Sequence, residues 1–266
     1  MLAFKDKPCL IAYLTCGDPD IATTKRVALA AIDAGASVIE LGVPFSDPVA
    51  DGPVIQRASE RALANGTTLE DVLKLGAELR RARPNAGLIV FSYLNPILRY
   101  GLERFAAECA RSGIDGALVT DLTVEEAREY LRIMRAHRLA TIFLAAPTSP
   151  DERLKKIAAA SSGFIYAVSR TGVTGEREQV AQDARALVRR LRKFSTLPVA
   201  VGFGISNAEQ FREVGGFADA VVVGSAIVRA VEEAGPAAAA EAAERLIHQL
   251  VGGPFHTKDT KAAQRG

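Results

Sequence analysis

Two carboxylates, Glu40 and Asp51, lie on either side of a loop that is rich in proline and glycine. Glu40 stands near the end of an apolar run at residues 37–41, and the segment after it carries Gly42, Pro44, Pro48, Gly52 and Pro53. These residues restrict the backbone in a way that an exposed spacer would not need. The pattern predicts an acid/base site. Two alternatives stay open: Glu40 could be a buried carboxylate paired with an arginine, and Asp51 could cap the turn before Gly52.

Tyr166 is a third candidate for chemistry, in the predicted strand 164–168. Alternate residues of a strand point to the same side, so Tyr166 is expected to share a face with Phe164 and Val168. Taken alone, a strand tyrosine is more often a packing residue than a catalytic one, because tyrosine fits strand surfaces well.

Glycine-rich segments follow the last three predicted strands, at residues 170–175, 202–206 and 224–225. Barrel enzymes often bind phosphate with the loops after their last strands, using backbone N–H groups and the N-terminus of a short helix. One such loop would indicate only a tight turn. The three together predict a phosphorylated small-molecule ligand.

The elements that must position these residues alternate between short apolar runs and helical stretches along the whole chain. The predicted strands are residues 9–15, 37–41, 88–93, 116–120, 141–146, 164–168, 199–202 and 220–223. Eight βα units of nearly continuous apolar strands predict an α/β fold, a (β/α)8 TIM barrel. A doubly wound open sheet is the alternative.

Two connections carry extra helices. After the second strand the pattern predicts helices at 54–64 and 69–83, separated by Asn65-Gly66, with Thr67 and Glu70 forming a capping box. After the eighth strand, helices at 225–234 and 237–250 are split by Gly235-Pro236. We expect a single barrel domain over residues 1–253 and a disordered tail at 254–266.

Composition excludes several classes of function. The net charge of +2 gives no footprint for nucleic acid. The three cysteines form no CxxC pair and no even-numbered disulfide framework, which is typical of a reducing cytosol. No signal-peptide pattern and no run of roughly 18 apolar residues is present, so we expect a cytoplasmic protein without a membrane span.

The reaction is narrowed further by residue types that are missing at the strand ends. No lysine falls where a Schiff-base enzyme would need one, and the histidines lie in predicted helices or in the tail, away from any metal-ligand cluster. No GxGxxG or GxxxxGK[ST] motif follows a strand. The sequence therefore predicts carboxylate acid/base chemistry without a metal or organic cofactor.

Residues 40–56, together with 14–19, 169–175 and 202–206, closely resemble the tryptophan synthase alpha family. The resemblance spans roughly residues 8 to 251. It implies retro-aldol cleavage of indole-3-glycerol phosphate to indole and glyceraldehyde 3-phosphate. By resemblance, Glu40 shuttles the proton, Asp51 holds the indole nitrogen, and Tyr166 orients Glu40 or the substrate. A carboxyl at the end of a buried strand should bind its proton more tightly than one on a loop, which would give the two carboxyls different roles.

The resemblance also implies how the rest of the substrate is held. Gly175, Gly204, Gly224 and Ser225 match the phosphate-binding positions of the family. Tyr13, Phe91 and Leu118 sit at strand positions suited to flanking the indole ring, although ordinary packing explains them equally well.

The family implies a partner as well, a pyridoxal-phosphate beta subunit in an alpha2beta2 heterotetramer. Residues 170–176 would form a lid, and the residues assigned to lid and partner coupling are Asp47, Arg170 and Thr174. The apolar loop residues Val43, Phe45 and Val49 would face the partner or only close the site. Two other functions remain open: a freestanding lyase, and a non-catalytic sensor of a phosphorylated ligand that activates a partner.

Overall fold

The computed structural model describes residues 2, 4, 8–168, 177–202 and 204–252, and of residues 177–179 only the backbone. Within this part of the chain, all strands belong to one parallel sheet of order β5-β4-β3-β2-β1-β9-β8-β7-β6. The strands are β1 (Cys9–Thr15), β2 (Ala36–Gly42), β3 (Gly87–Ser92), β4 (Gly116–Val119), β5 (Ala140–Ile142), β6 (Leu144–Ala145), β7 (Ile165–Val168), β8 (Val199–Gly202) and β9 (Ala220–Val223).

The two outermost strands of the sheet, β5 and β6, are consecutive in the chain and are separated only by Phe143. The predicted fifth strand is therefore interrupted rather than absent, and it closes the sheet into an eight-position barrel. The Tyr166 N–H of β7 donates to the Phe143 carbonyl at 3.1 Å, so the interrupting residue is still hydrogen-bonded to the neighbouring strand. The predicted (β/α)8 barrel is confirmed, and the open doubly wound sheet is wrong.

The helices cover the outside of the barrel, as a parallel sheet requires. Their bounds are α1 (Ile21–Asp33), α2 (Pro53–Ala64), α3 (Leu69–Ala82), α4 (Leu94–Tyr100), α5 (Leu102–Arg111), α6 (Arg128–Ala136), α7 (Asp151–Ala160), α8 (Arg177–Leu191), α9 (Ala208–Gly215) and α10 (Ser225–Val251). The two helices predicted after β2 are present. The predicted break in the last helix appears at Gly235, whose backbone is not helical (φ 70°, ψ 171°). None of the described helices is long and apolar enough to cross a membrane.

The capping box that opens α3 differs from the prediction by one residue. The Thr68 hydroxyl accepts from the Asp71 N–H, and the Asp71 carboxylate accepts from the Thr68 N–H at 3.0 Å. The predicted pair of Thr67 and Glu70 is wrong, since Glu70 instead forms an ion pair with Lys74 one turn later, at 2.8 Å. Both pairs match the capping pattern in sequence, and the backbone geometry selects the second.

The core has two layers, because successive strand residues point alternately into and out of the barrel. On β1, Leu10, Ala12 and Leu14 pack against the surrounding helices. The inner layer is apolar through most of the barrel, and its buried members are Cys9, Ile11, Val38, Ile89, Leu118, Ile142, Phe164, Ala200, Ala220 and Val222. The same alternation turns Tyr13, Glu40, Phe91 and Tyr166 inward near the carboxyl ends of their strands. That end of the barrel is where active sites of this fold are built.

Candidate active site

Glu40 is held inside the barrel mouth by β2. It pairs in register with Tyr13 on β1 and with Ile89 on β3. Its side chain is 0% exposed, and neither carboxylate oxygen has a hydrogen-bond partner among the described residues. Burial disfavours the charged form and raises the pKa of Glu40 from 4.5 to about 8. The arginine pairing considered for Glu40 is not found in this part of the chain, and at neutral pH the carboxyl carries its proton.

Asp51 lies on the loop that leads into α2, where Gly52 precedes the helix and Pro53 is its first residue. The Gln56 amide donates to the Asp51 carbonyl at 2.8 Å, which fixes the backbone at the carboxylate. Desolvation raises the pKa of Asp51 to about 6, and a hydrogen bond from Tyr93 opposes that rise. Asp51 is therefore ionised at pH 7 while Glu40 is neutral, which is the ordering expected for a buried strand end and a loop.

Tyr166 and Tyr13 bring two phenols into the same mouth. Burial raises the pKa of Tyr166 well above its usual value, and the neighbouring Glu40 adds to the rise. Two glycines make room for the rings: a Cβ at Gly202 would lie 2.6 Å from the Tyr166 hydroxyl, and one at Gly42 would lie 2.5 Å from the Tyr13 hydroxyl. The strand-end glycines thus let the phenols approach the acid.

The aromatic wall of the site is formed by Tyr13 and Phe91, whose ring centroids lie 5.0 Å apart in an edge-to-face arrangement at 75°. Phe91 is only partly buried, and it pairs in register with Leu118, which is wholly buried in the barrel. Val54 and Ala58 of α2 pack on the same cluster from above. An apolar face is therefore present beside Asp51, as a planar ring would require.

The predicted phosphate residues are only partly described. Gly175 lies outside the described residues, and Gly204 is exposed in the loop after β8. Gly224 and Ser225 join β9 to the start of α10, where the first N–H groups of the helix have no acceptor within the helix. A Cβ at Gly224 would stand 3.4 Å from the Tyr13 side chain, so this helix start borders the aromatic wall.

The residues predicted to face a partner divide into two groups. Val49 is 87% exposed, and Asp47 is exposed and accepts a hydrogen bond from the Ser46 hydroxyl at 2.5 Å. Val43 is only 7% exposed, and Phe45 stacks on Tyr93 with centroids 5.0 Å apart. Val43 and Phe45 therefore pack inward and help to close the site. Arg170 and Thr174, the remaining lid and coupling residues, lie outside the described residues, as do the whole segment 170–176 and the tail 254–266.

Tyr93 is a site residue that the sequence interpretation missed. Its hydroxyl accepts from the Ala50 N–H at 2.9 Å, and it hydrogen bonds the Asp51 carboxylate. Its position directly after β3, at the active end of the barrel, is the signal that could have identified it. Among the described residues, no three histidine, cysteine, aspartate or glutamate side chains cluster closely enough to hold a metal ion.

A (β/α)8 barrel with a buried neutral carboxyl, an ionised carboxylate and a partly exposed aromatic wall at its mouth defines an acid/base enzyme of the barrel class. The sequence model of the family "Tryptophan synthase alpha chain" matches residues 2–254. This chain belongs to that family.

Individual relatives agree with the assignment. The tryptophan synthase alpha chain of Solibacter usitatus is 52% identical over 237 residues, which cover 89% of this chain and 88% of that protein. The one from Geotalea daltonii is 50% identical, with 87% and 88% covered. Among solved structures, the tryptophan synthase A-subunit of Pyrococcus furiosus superposes with a TM-score of 0.86 at 43% identity, covering 92% of this chain and 98% of that one. Tryptophan synthase of Mycobacterium tuberculosis gives 0.85 at 40% identity, with 93% and 92% covered.

Proposed function

We propose that this chain cleaves indole-3-glycerol phosphate to indole and glyceraldehyde 3-phosphate by a retro-aldol reaction, as the alpha subunit of tryptophan synthase in tryptophan biosynthesis. Membership of the family supports the reaction. The observation that carries the chemistry is Glu40, a wholly buried carboxyl with no hydrogen-bond partner among the described residues. Such a group costs stability, and it is kept where its proton is used.

The reaction needs a proton on indole C3 and a base for the side-chain hydroxyl next to it. Glu40, protonated at neutral pH, gives its proton to C3. The electron pair of the indole ring forms the new C3–H bond and leaves positive charge on the ring nitrogen. The Glu40 carboxylate then takes the hydroxyl proton as the C–C bond breaks. The electrons of that bond restore the indole, the oxygen becomes the aldehyde carbonyl of glyceraldehyde 3-phosphate, and Glu40 ends as it began.

Asp51 supplies the opposite property, since it is ionised when Glu40 is neutral. A carboxylate that accepts the indole N–H stabilises the positive charge that builds on the ring after C3 is protonated. Tyr93 orients that carboxylate by a hydrogen bond. The hydrogen bond from the Gln56 side-chain amide to the Asp51 carbonyl fixes the loop. Tyr166 orients Glu40 or the substrate from β7.

The substrate would lie with its ring on the wall formed by Tyr13 and Phe91, with Leu118 beneath. Its phosphate would reach the start of α10 at Gly224 and Ser225, with Gly204 and Gly175 completing the cradle. Backbone N–H groups at a helix N-terminus favour a phosphate anion.

The partner in this proposal is a pyridoxal-phosphate beta subunit in an alpha2beta2 complex. Solved relatives include a tryptophan synthase complex from Pyrococcus furiosus, at 42% identity and a TM-score of 0.84. On this chain the exposed Val49 and Asp47 stand on the loop that joins Glu40 to Asp51, which suits a contact that reports on the site. Arg170 and Thr174 would couple the lid to the same contact.

The test is release of indole from indole-3-glycerol phosphate by the wild type and by Glu40→Gln, which keeps the shape and removes the ionisable group. We expect a loss of about 10²–10⁴-fold in kcat, the range for a positioned acid/base group. The control is Glu78→Gln, at a partly exposed residue of α3 that pairs with Lys25, and its rate should be unaffected. Equal rates for wild type and Glu40→Gln would reject the mechanism, and a wild type without activity would favour the sensor function.

A further inference from the structure

Arg61 joins three separate elements near the site. Its Nε and Nη2 donate to the two carboxylate oxygens of Asp18 at 2.7 and 2.9 Å, in a paired fork. Its Nη1 donates to Glu232 at 2.7 Å. Asp18 lies in the loop after β1 and is buried, whereas Glu232 lies on α10. A guanidinium held by two carboxylates in this way has a fixed orientation, which a lysine could not reproduce.

These contacts fix one end of α2, the helix whose other end follows Asp51. Arg61 and Asn65 both bind the loop after β1 from the carboxyl end of α2. The Asn65 side-chain amide donates a hydrogen bond to the Pro19 carbonyl at 2.5 Å. Asp51 stands two residues before the start of the helix. Because a helix is stiff along its axis, anchoring its far end sets where its first turn and Asp51 lie.

Glu232 connects the same anchor to α10. That helix begins at Ser225, at the end of the site where the phosphate would bind, and Glu232 lies two turns further along it. The Arg61–Glu232 ion pair therefore links the helix that follows Asp51 to the helix that would receive the phosphate. Val228 of α10 and Ala58 of α2 pack in one cluster with Tyr13, so the linked surfaces are also in contact.

We propose that Arg61 is a positioning residue that sets the distance between Asp51 and the start of α10, and so matches the site to the length of its ligand. This inference rests on the proposed function. Arg61 itself contacts neither the substrate nor the reacting atoms. The proposal predicts that loss of Arg61 weakens the binding of ligands that span both ends of the site and leaves the binding of ligands that occupy one end unchanged.

The test compares two probes in binding measurements on the full chain. Glycerol 3-phosphate occupies only the phosphate end. 3-(Indol-3-yl)propyl phosphate spans both ends and cannot be cleaved, because it lacks the side-chain hydroxyls. For Arg61→Ala we expect the affinity for the spanning probe to fall by on the order of 10- to 100-fold, which corresponds to about 1.4–2.8 kcal/mol of binding free energy. The affinity for glycerol 3-phosphate should stay within about twofold.

Two further variants make the result specific. Arg61→Lys restores the charge without the fork, and it should behave like Arg61→Ala. Glu60→Gln is the matched control on the same helix: Glu60 is exposed and takes no part in the ion pairs of Arg61 with Asp18 and Glu232, so this variant should bind both probes like the wild type. If Arg61→Ala does not fold, Glu232→Gln breaks the ion pairs that Arg61 and Arg57 of α2 form with α10 and leaves the Asp18 contact in place, and it should weaken the spanning probe selectively.

Equal weakening of both probes, full rescue by lysine, or no effect on the spanning probe would overturn the positioning role. Indole release by the wild type separates a failure of the role of Arg61 from a failure of the proposed function. Indole release by the wild type with equal weakening of the two probes rejects only the role of Arg61. A wild type that releases no indole rejects the proposed function and the inference with it.

Discussion

The two ends of the barrel hold their acidic side chains in opposite ways. At the amino ends of the strands, Asp115 accepts from the Leu88 N–H at 2.9 Å and from Arg80 at 2.8 Å. At the carboxyl ends, Glu40 is fully buried with no hydrogen-bond partner among the described residues. A carboxylate that accepts hydrogen bonds and an ion pair stabilises the fold. A buried carboxyl without hydrogen-bond partners lowers the stability of the fold, which indicates that it is kept for function. The difference separates the residues that hold this barrel together from those that act.

After Glu40→Gln, the largest effect is expected from Asp51→Asn, also at the mouth of the barrel. The amide keeps the shape and removes the negative charge that, in the proposed mechanism, would face the indole nitrogen. We expect kcat/KM for indole-3-glycerol phosphate to fall by about 10²–10³-fold, the cost of losing one preorganised electrostatic contact. Steady-state kinetics of the purified chain measure it. The control is Asp33→Asn, because Asp33 ends α1 just before β2 begins, at the opposite end of the barrel from the mouth, and pairs there with Arg83. A fall of less than threefold would remove Asp51 from the mechanism.

A smaller effect, on stability and not on activity, is expected from Arg80→Ala at the amino end of the barrel. Arg80 donates to the Gly113 carbonyl at 2.8 Å and to the Ala86 carbonyl at 2.7 Å, besides its ion pair with Asp115. We expect its loss to lower the free energy of unfolding by about 3 kcal/mol, because several partly buried acceptors lose their donor. Denaturant unfolding measures this.

Activity at a temperature where the variant is folded should be unchanged by Arg80→Ala. Arg81→Ala, the exposed neighbour, should change the free energy of unfolding by less than about 0.5 kcal/mol. If Arg80→Ala reduced kcat with the fold intact, the division of labour between the two ends would be wrong.

Much of the fold was predictable because the signals are local. The bounds of β1, β8 and β9 agree with the predicted strands, and the apolar runs that define them are continuous. The interruption of the fifth strand at Phe143 was not predictable, since residues 141–146 show no break in composition. The capping box of α3 was displaced by one residue because Thr67 and Thr68 both precede an acidic residue by three positions, and only backbone geometry separates them.

The site was predictable where its residues sit at strand ends, as Glu40 does. Contacts between distant parts of the chain were not. The Tyr93 hydroxyl reaches the Ala50 N–H across 43 residues, and Arg61 reaches Glu232 across 171. Neither pair has a spacing that would indicate it, because each depends on how the barrel brings its loops together.

The proposed mechanism requires Glu40 to be neutral in the folded protein at neutral pH, and the pH dependence of stability measures this. A carboxyl whose folded pKa is about 8, against 4.5 in its unperturbed state, keeps its proton on folding while the unfolded chain releases it. Stability contributed by Glu40 is therefore complete below about pH 4.5 and is lost as the pH rises toward 8, by up to about 1.4 kcal/mol per pH unit.

The measurement is the difference in unfolding free energy between wild type and Glu40→Gln from acidic to alkaline pH, in which other titrating groups such as Asp51 largely cancel. We predict that the wild type loses stability relative to Glu40→Gln across this window and that the difference levels off above it. A difference that does not change with pH would show that Glu40 ionises as readily in the barrel as in the unfolded chain, and it would remove Glu40 as the proton donor at neutral pH.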